Sequence, residues 1–131
     1  MDRYNQAKLN KPISKQALKR WFSDDYLKKN PKTYDLFMNT LTKKPEDHKN
    51  FLKAYEIFAN HKDEEQTIQK ISSNTLVMTG SEDLGSSPAM SKQLVKDLNK
   101  SSYKEIRNGK HLCSIECADD VNINIRNFIN N

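Results

Sequence analysis

Residues 75–88 read Thr-Leu-Val-Met-Thr-Gly-Ser-Glu-Asp-Leu-Gly-Ser-Ser-Pro, and the organisation of the chain turns on them. Thr75–Thr79 is a short apolar run rich in strand formers, closed by Gly80; it has the character of a parallel strand buried on both faces. Ser86-Ser87-Pro88 supplies a cap followed by proline at the first helical position. The helix so opened extends to about Asn99, with Met90, Leu94, Val95 and Leu98 expected on one inner face. Ser102–Ile106 predicts a second strand and Gly109-Lys110-His111 a turn. Ala118–Ile129 then predicts a last helix that uses Val121, Ile125, Phe128 and Ile129. Strand, helix, strand, turn and helix in this order predict a right-handed βαβ unit plus a covering helix.

Upstream of Asn74 the pattern is helical. Ser14 can cap a helix through Phe22 whose apolar face is Leu18, Trp21 and Phe22. Asn30-Pro31 breaks the chain, because a residue before proline avoids the helical region. Tyr34, Phe37, Met38 and Leu41 then recur at spacings of three and four, and Thr42-Lys-Lys-Pro45 ends that helix. A third helix is expected from Glu46 to Asn60, with Phe51, Leu52, Tyr55, Ile57 and Phe58 as its stripe, and a short one from Glu64 to Ile71. The chain therefore divides into a helical segment, residues 1–71, and a strand-helix-strand-helix unit, residues 72–131. The fold class is α/β with a two-stranded parallel sheet.

Composition narrows the function classes. The 131 residues carry a net charge of +5, and mean hydropathy is −0.91. Residues 1–70 hold 15 basic and 10 acidic side chains and residues 71–131 hold 7 of each, so the surplus is upstream. Lysines there alternate with Asp and Glu instead of lining one stripe, and only four of the 22 basic residues are arginine. That argues against nucleic acid as a partner. No apolar run approaches the length of a membrane span and the first residues lack a signal-peptide layout, so the expectation is a cytoplasmic protein with no membrane partner. Cys113 and Cys117 are too few for a disulfide framework and lack C-x-x-C spacing; they read as reduced thiols, and neither a metal nor a cofactor is expected.

Two loops could carry chemistry. In open α/β sheets functional side chains gather at the carboxyl ends of strands. Asp83 follows the first predicted strand and His111 the second. Parallel neighbours lie about 5 Å apart, so the two side chains can meet, and a carboxylate on a histidine ring fixes its tautomer and stabilises the imidazolium. Taken singly, Asp83 suits a turn or cap, and His111 a surface position. Glu82 is expected to point away from Asp83, and His48 and His61 to lie on solvated helix faces. Trp21 and Phe22 suit either the floor of a substrate pocket or core packing.

The stretch from Asn74 to Ile129 resembles the C-terminal end of the α/β-hydrolase superfamily: a strand, Thr79-Gly-Ser-Glu-Asp83 with Ser86-Ser87-Pro88, a helix, a strand, then Gly109-x-His111-Leu-x-x-x-Glu116 and Asn122. Lys19-Arg-Trp-Phe22, Asn30-Pro31 and Lys44-Pro45-Glu46 resemble the helical cap of 3-oxoadipate enol-lactonases. The resemblance implies a partial α/β-hydrolase fold, with Asp83 as triad acid and His111 as triad base. It implies hydrolysis of a small-molecule ester or lactone. Ala118 stands where proline commonly opens the last helix.

The nucleophile motif is missing. Gly80, Gly85 and Gly109 are the only glycines, and no pair of them brackets a serine as G-x-S-x-G requires. The first oxyanion loop of the superfamily is missing too. Without both, almost no catalysis is expected of the chain alone. The expected partner is either a second copy in a dimer, paired strand to strand along Thr75–Thr79, or a separate N-terminal hydrolase half. The alternative is a non-catalytic dimeric or partner-binding remnant of a hydrolase.

Overall fold

The computed structural model describes residues 14–41, 45–61 and 65–130. Ser23 separates the first two helices. Helix α1 spans Ser14–Trp21. Ser23 then turns extended (φ −69°, ψ 152°), and its side chain accepts the Tyr26 N–H at 3.1 Å to start α2, Asp24–Lys29. Sequence reading did not anticipate α2. Its signals were a serine cap, Asp24 and Asp25 in the first turn, and Lys28 and Lys29 in the last, charges that suit the helix dipole. Asn30 closes α2, donating to the Tyr26 carbonyl from backbone and side chain alike at 2.9 Å. Pro31 opens α3, Pro31–Leu41. Helices α4, Pro45–Asn60, and α5, Glu65–Ile68, follow.

Helix α1 buries Ala17 and Leu18, and Phe22 just beyond its end is fully enclosed. The Phe22 ring stacks on Tyr26 and meets Phe37 edge-on, each at 5.3 Å between centroids, and Trp21 meets the same Phe37 at 6.0 Å. Three helices are thereby joined through one aromatic cluster. The apolar stripe expected on α4 needs correcting at Ile57, which is exposed. Thr42–Lys44 and the side chains of His48, Phe51 and Phe58 lie outside the described residues. His61 is exposed just beyond the end of α4.

Strands β1, Thr75–Gly80, and β2, Ser101–Ile106, pair parallel across α6, Pro88–Asp97, in the register Thr75↔Ser101 through Gly80↔Ile106. Ser87 caps α6 by accepting the Met90 N–H, with Pro88 behind it. A short α7, Cys113–Glu116, precedes α8, Ala118–Ile129.

Three expectations fail in detail. Strand β1 is not buried along both faces: Val77 and Thr79 are buried, but Leu76 and Met78 are half-exposed. Helix α6 is rotated from its expected setting. The Ser91 hydroxyl meets that of Thr79 at 2.8 Å, and the Val95 carbonyl accepts from Ser101 at 2.9 Å. Those contacts, with buried Leu98, define the inner face and leave Met90 and Leu94 exposed. Helix α8 buries Val121, but Ile125 and Ile129, expected to pack beside it, are exposed. Among the described residues no helix is long and apolar enough to cross a membrane.

Candidate active site

The carboxyl ends of β1 and β2 are bound together beyond the sheet. Ser81 N–H donates to the Ile106 carbonyl and Glu82 N–H to the Gly109 carbonyl, both at 2.9 Å. The Ser81 hydroxyl accepts the Asn108 N–H at 2.9 Å, and Asn108 takes a left-handed φ of 58°, a conformation asparagine tolerates better than most residues. Gly80 sits where the loops converge, and a Cβ there would collide with the Gly109 carbonyl.

Asp83 and His111 emerge from these joined loops. Asp83 Oδ2 lies 2.8 Å from His111 Nδ1. The other carboxylate oxygen accepts the Gly85 and Ser86 N–H groups at 2.8 and 3.0 Å, which locks the group's rotation. Burial would push this carboxyl up, but the hydrogen bonds from His111, Ser86 and Gly85 outweigh it and hold Asp83 below its ordinary value. An ionised Asp83 can only accept, so Nδ1 is the ring nitrogen that donates in this contact. His111 is exposed where Asp83 is buried. The pair thus combines a fixed, buried carboxylate with an exposed imidazole.

His111 is held from both sides. The Leu112 N–H donates to the Trp21 carbonyl at 3.0 Å, and the Lys110 N–H reaches Glu116 Oε2 at 3.4 Å. Glu116 Oε1 accepts the Ser23 N–H at 3.0 Å, and the Lys110 ammonium caps the Lys19 carbonyl at 2.9 Å. Sequence reading noted Glu116 by resemblance alone and gave it no function; a bond 93 positions long leaves no local trace.

Of the other candidates, Phe22 is fully buried in the aromatic cluster, while Trp21 is half-buried and touches the histidine loop through its backbone. Glu82 is exposed and Asp83 buried, so the two carboxylates part company as expected. Among the described residues no serine hydroxyl hydrogen-bonds to His111, whose side-chain partner is Asp83. Both cysteines are free thiols. Burial and the Asp83 charge push the Cys113 thiol up, and burial and the Glu116 charge do the same to Cys117; protonated thiols are poor nucleophiles. The described residues therefore hold a hydrogen-bonded Asp–His pair and, beside it, two thiols disfavoured as thiolates.

No protein-family model matches the chain, and no curated protein matches it either. Solved structures do. The enol-lactonase of Burkholderia xenovorans LB400 superposes with a TM-score of 0.86 at 22% identity, over 99% of this chain and 49% of its own. A thermophilic esterase of Thermogutta terrifontis matches with a TM-score of 0.79 at 19% identity, over 97% and 47%. Est816, described as an N-acyl homoserine lactone degrading enzyme, matches at 0.72 and 18%, over 98% and 51%. The chain spans about half the length of each. It has the fold of part of an α/β-hydrolase.

Proposed function

We propose that the chain is the acid–base portion of an α/β-hydrolase acting on a carboxylic ester or lactone. The observation that carries this reading is the 2.8 Å contact between Asp83 and His111 at the joined ends of two parallel strands. Similarity to proteins described as an enol-lactonase, an esterase and a lactone-degrading enzyme supports the substrate class. In this reading His111 Nε2 takes the proton of a serine hydroxyl as that oxygen attacks the ester carbonyl, then returns it to the leaving oxygen. Asp83 holds the tautomer and stabilises the imidazolium between those steps. The serine and the oxyanion donors come from a nucleophile-bearing half, which also pairs with the edge of β1 opposite β2, where no strand lies among the described residues. Alone, these 131 residues are inactive.

The test is to express the chain together with the reading frame that lies upstream of its Met1 codon and to assay ester and lactone hydrolysis. Turnover abolished by His111→Ala and by Asp83→Asn supports the reading. A stop codon directly upstream with no G-x-S-x-G frame beside it overturns it, as does turnover indifferent to His111→Ala.

A second reading is a non-catalytic dimer, favoured by the same β1 edge together with exposed Met90 and Leu94. Light scattering after gel filtration separates the two: a stable species of twice 15.2 kDa favours the dimer, and a monomer excludes it.

A further inference from the structure

We infer that Glu116 is the positioning residue of the Asp83–His111 pair, and that through it the junction of α1 and α2 sets where the histidine stands. The inference rests on the reading of that pair as an acid–base unit. His111 has two chain neighbours, and the backbone N–H of each is tied. Leu112 is held by the Trp21 carbonyl at 3.0 Å, and Lys110 by Glu116 Oε2 at 3.4 Å. Glu116 is itself fixed, because its other oxygen takes the Ser23 N–H at 3.0 Å. Ser23 is the cap residue on which α2 starts. The Lys110 ammonium adds a third tie, to the Lys19 carbonyl at 2.9 Å. Residues 19, 21 and 23 of the helical segment thus grip residues 110, 112 and 116 around the histidine.

A two-oxygen acceptor is what this place demands. Two backbone donors approach from segments remote in sequence, and a carboxylate can accept both while an amide oxygen and its NH₂ cannot. Neither N–H is served by a helix or strand ladder in which it could be satisfied without Glu116. Removing the carboxylate frees the Lys110 side of the loop while Leu112 stays pinned. The loop then pivots about Leu112, and the ring of His111 leaves Asp83, whose own oxygen stays locked by Gly85 and Ser86.

The experiment follows the Nδ1 proton shared by His111 and Asp83, a downfield resonance in the proton spectrum of histidine-labelled protein, assigned by its loss in His111→Ala. Its exchange rate with water is compared in the wild type, Glu116→Ala and the near-isosteric Glu116→Gln, with circular dichroism to show that each is folded. We expect exchange roughly two- to tenfold faster in Glu116→Ala, the factor for one net hydrogen bond lost, and a smaller acceleration in Glu116→Gln, which keeps one acceptor. Glu105→Gln, a charge removed elsewhere on the surface, leaves the rate unchanged. Wild-type exchange in folded Glu116→Ala overturns the inference. Should that variant fail to fold, wild-type exchange in Glu116→Gln overturns it equally, and so does absence of the resonance from the wild type. The readout asks nothing of turnover, so a failed hydrolysis assay and a failed positioning role are told apart.

Discussion

Asp83 and His111 meet at 2.8 Å although 28 positions separate them, and the two partners differ sharply in exposure. Asp83 is 5% exposed and both its oxygens are engaged; the side chain of His111 is 43% exposed. A buried acceptor that cannot rotate, facing an exposed ring, leaves Nδ1 committed to the carboxylate and Nε2 as the ring nitrogen outside this contact.

The depressed Asp83 carboxyl makes stability depend on pH at the acid end. Its folded pKa lies below the ordinary 3.8, so the unfolded chain takes the proton first. The contribution is complete above about 3.8 and is lost as pH falls through the folded value. Urea midpoints measured from roughly pH 5 downward should fall steeply in the wild type and more shallowly in Asp83→Asn.

Gly80→Ala should damage fold and site together. The new methyl would meet the Gly109 carbonyl, a backbone group that cannot rotate away. Overpacking of this kind costs about 1–3 kcal/mol. Chemical denaturation should show that loss, and the downfield histidine proton should vanish with it.

Phe22→Ala tests the aromatic cluster as core. The side chain is fully enclosed between Tyr26 and Phe37, and deleting a buried phenylalanine costs about 3–5 kcal/mol. In a chain this short that is a large part of total stability. Loss of helical circular dichroism at a much lower urea concentration is the expected result. Unchanged stability would leave the ring free for a substrate pocket instead.

Tyr103 should titrate well above the ordinary 10 of a tyrosine. Burial, and then the hydrogen bond its hydroxyl donates to Glu105 at 3.0 Å, push it up to about 12. Lys92 bonds the same Glu105 oxygen at 3.3 Å and lies 5.3 Å over the phenol ring. Because the folded value is the higher one, the associated stability is present below the ordinary 10 and is lost as pH rises toward 12. Ultraviolet titration should show a phenol ionising near 12, which Glu105→Gln brings back toward the ordinary 10.

Sequence reading reached as far as local pattern allows. Leu18 and Phe22 are where spacings of three and four place a core, and Gly80 and Pro88 mark the strand end and helix start that bring the loop of Asp83 to the loop of His111. The inner face of α6 was misjudged because periodicity weighs Met90 and Leu94 by hydrophobicity. The structure instead turns the helix on two polar contacts, Ser91 to Thr79 and Ser101 to Val95. Helix α2 escaped notice because it is short and has no apolar stripe, its evidence being a cap and end charges. The hold of Glu116 on Ser23 was illegible in principle, since nothing in either local sequence refers to the other.

The in-register pairing from Thr75↔Ser101 to Gly80↔Ile106 acts as a ruler. Both strands start level and end level, so the reach from Asp83 to His111 is measured along the sheet, not along the connection between the strands. Lengthening or shortening α6 by a turn leaves that measurement untouched. One residue inserted within β2 advances the histidine loop by about 3.3 Å and swaps its side chains between layers, farther than a hydrogen bond can follow. Variation is therefore cheap in the helix and ruinous in the strand.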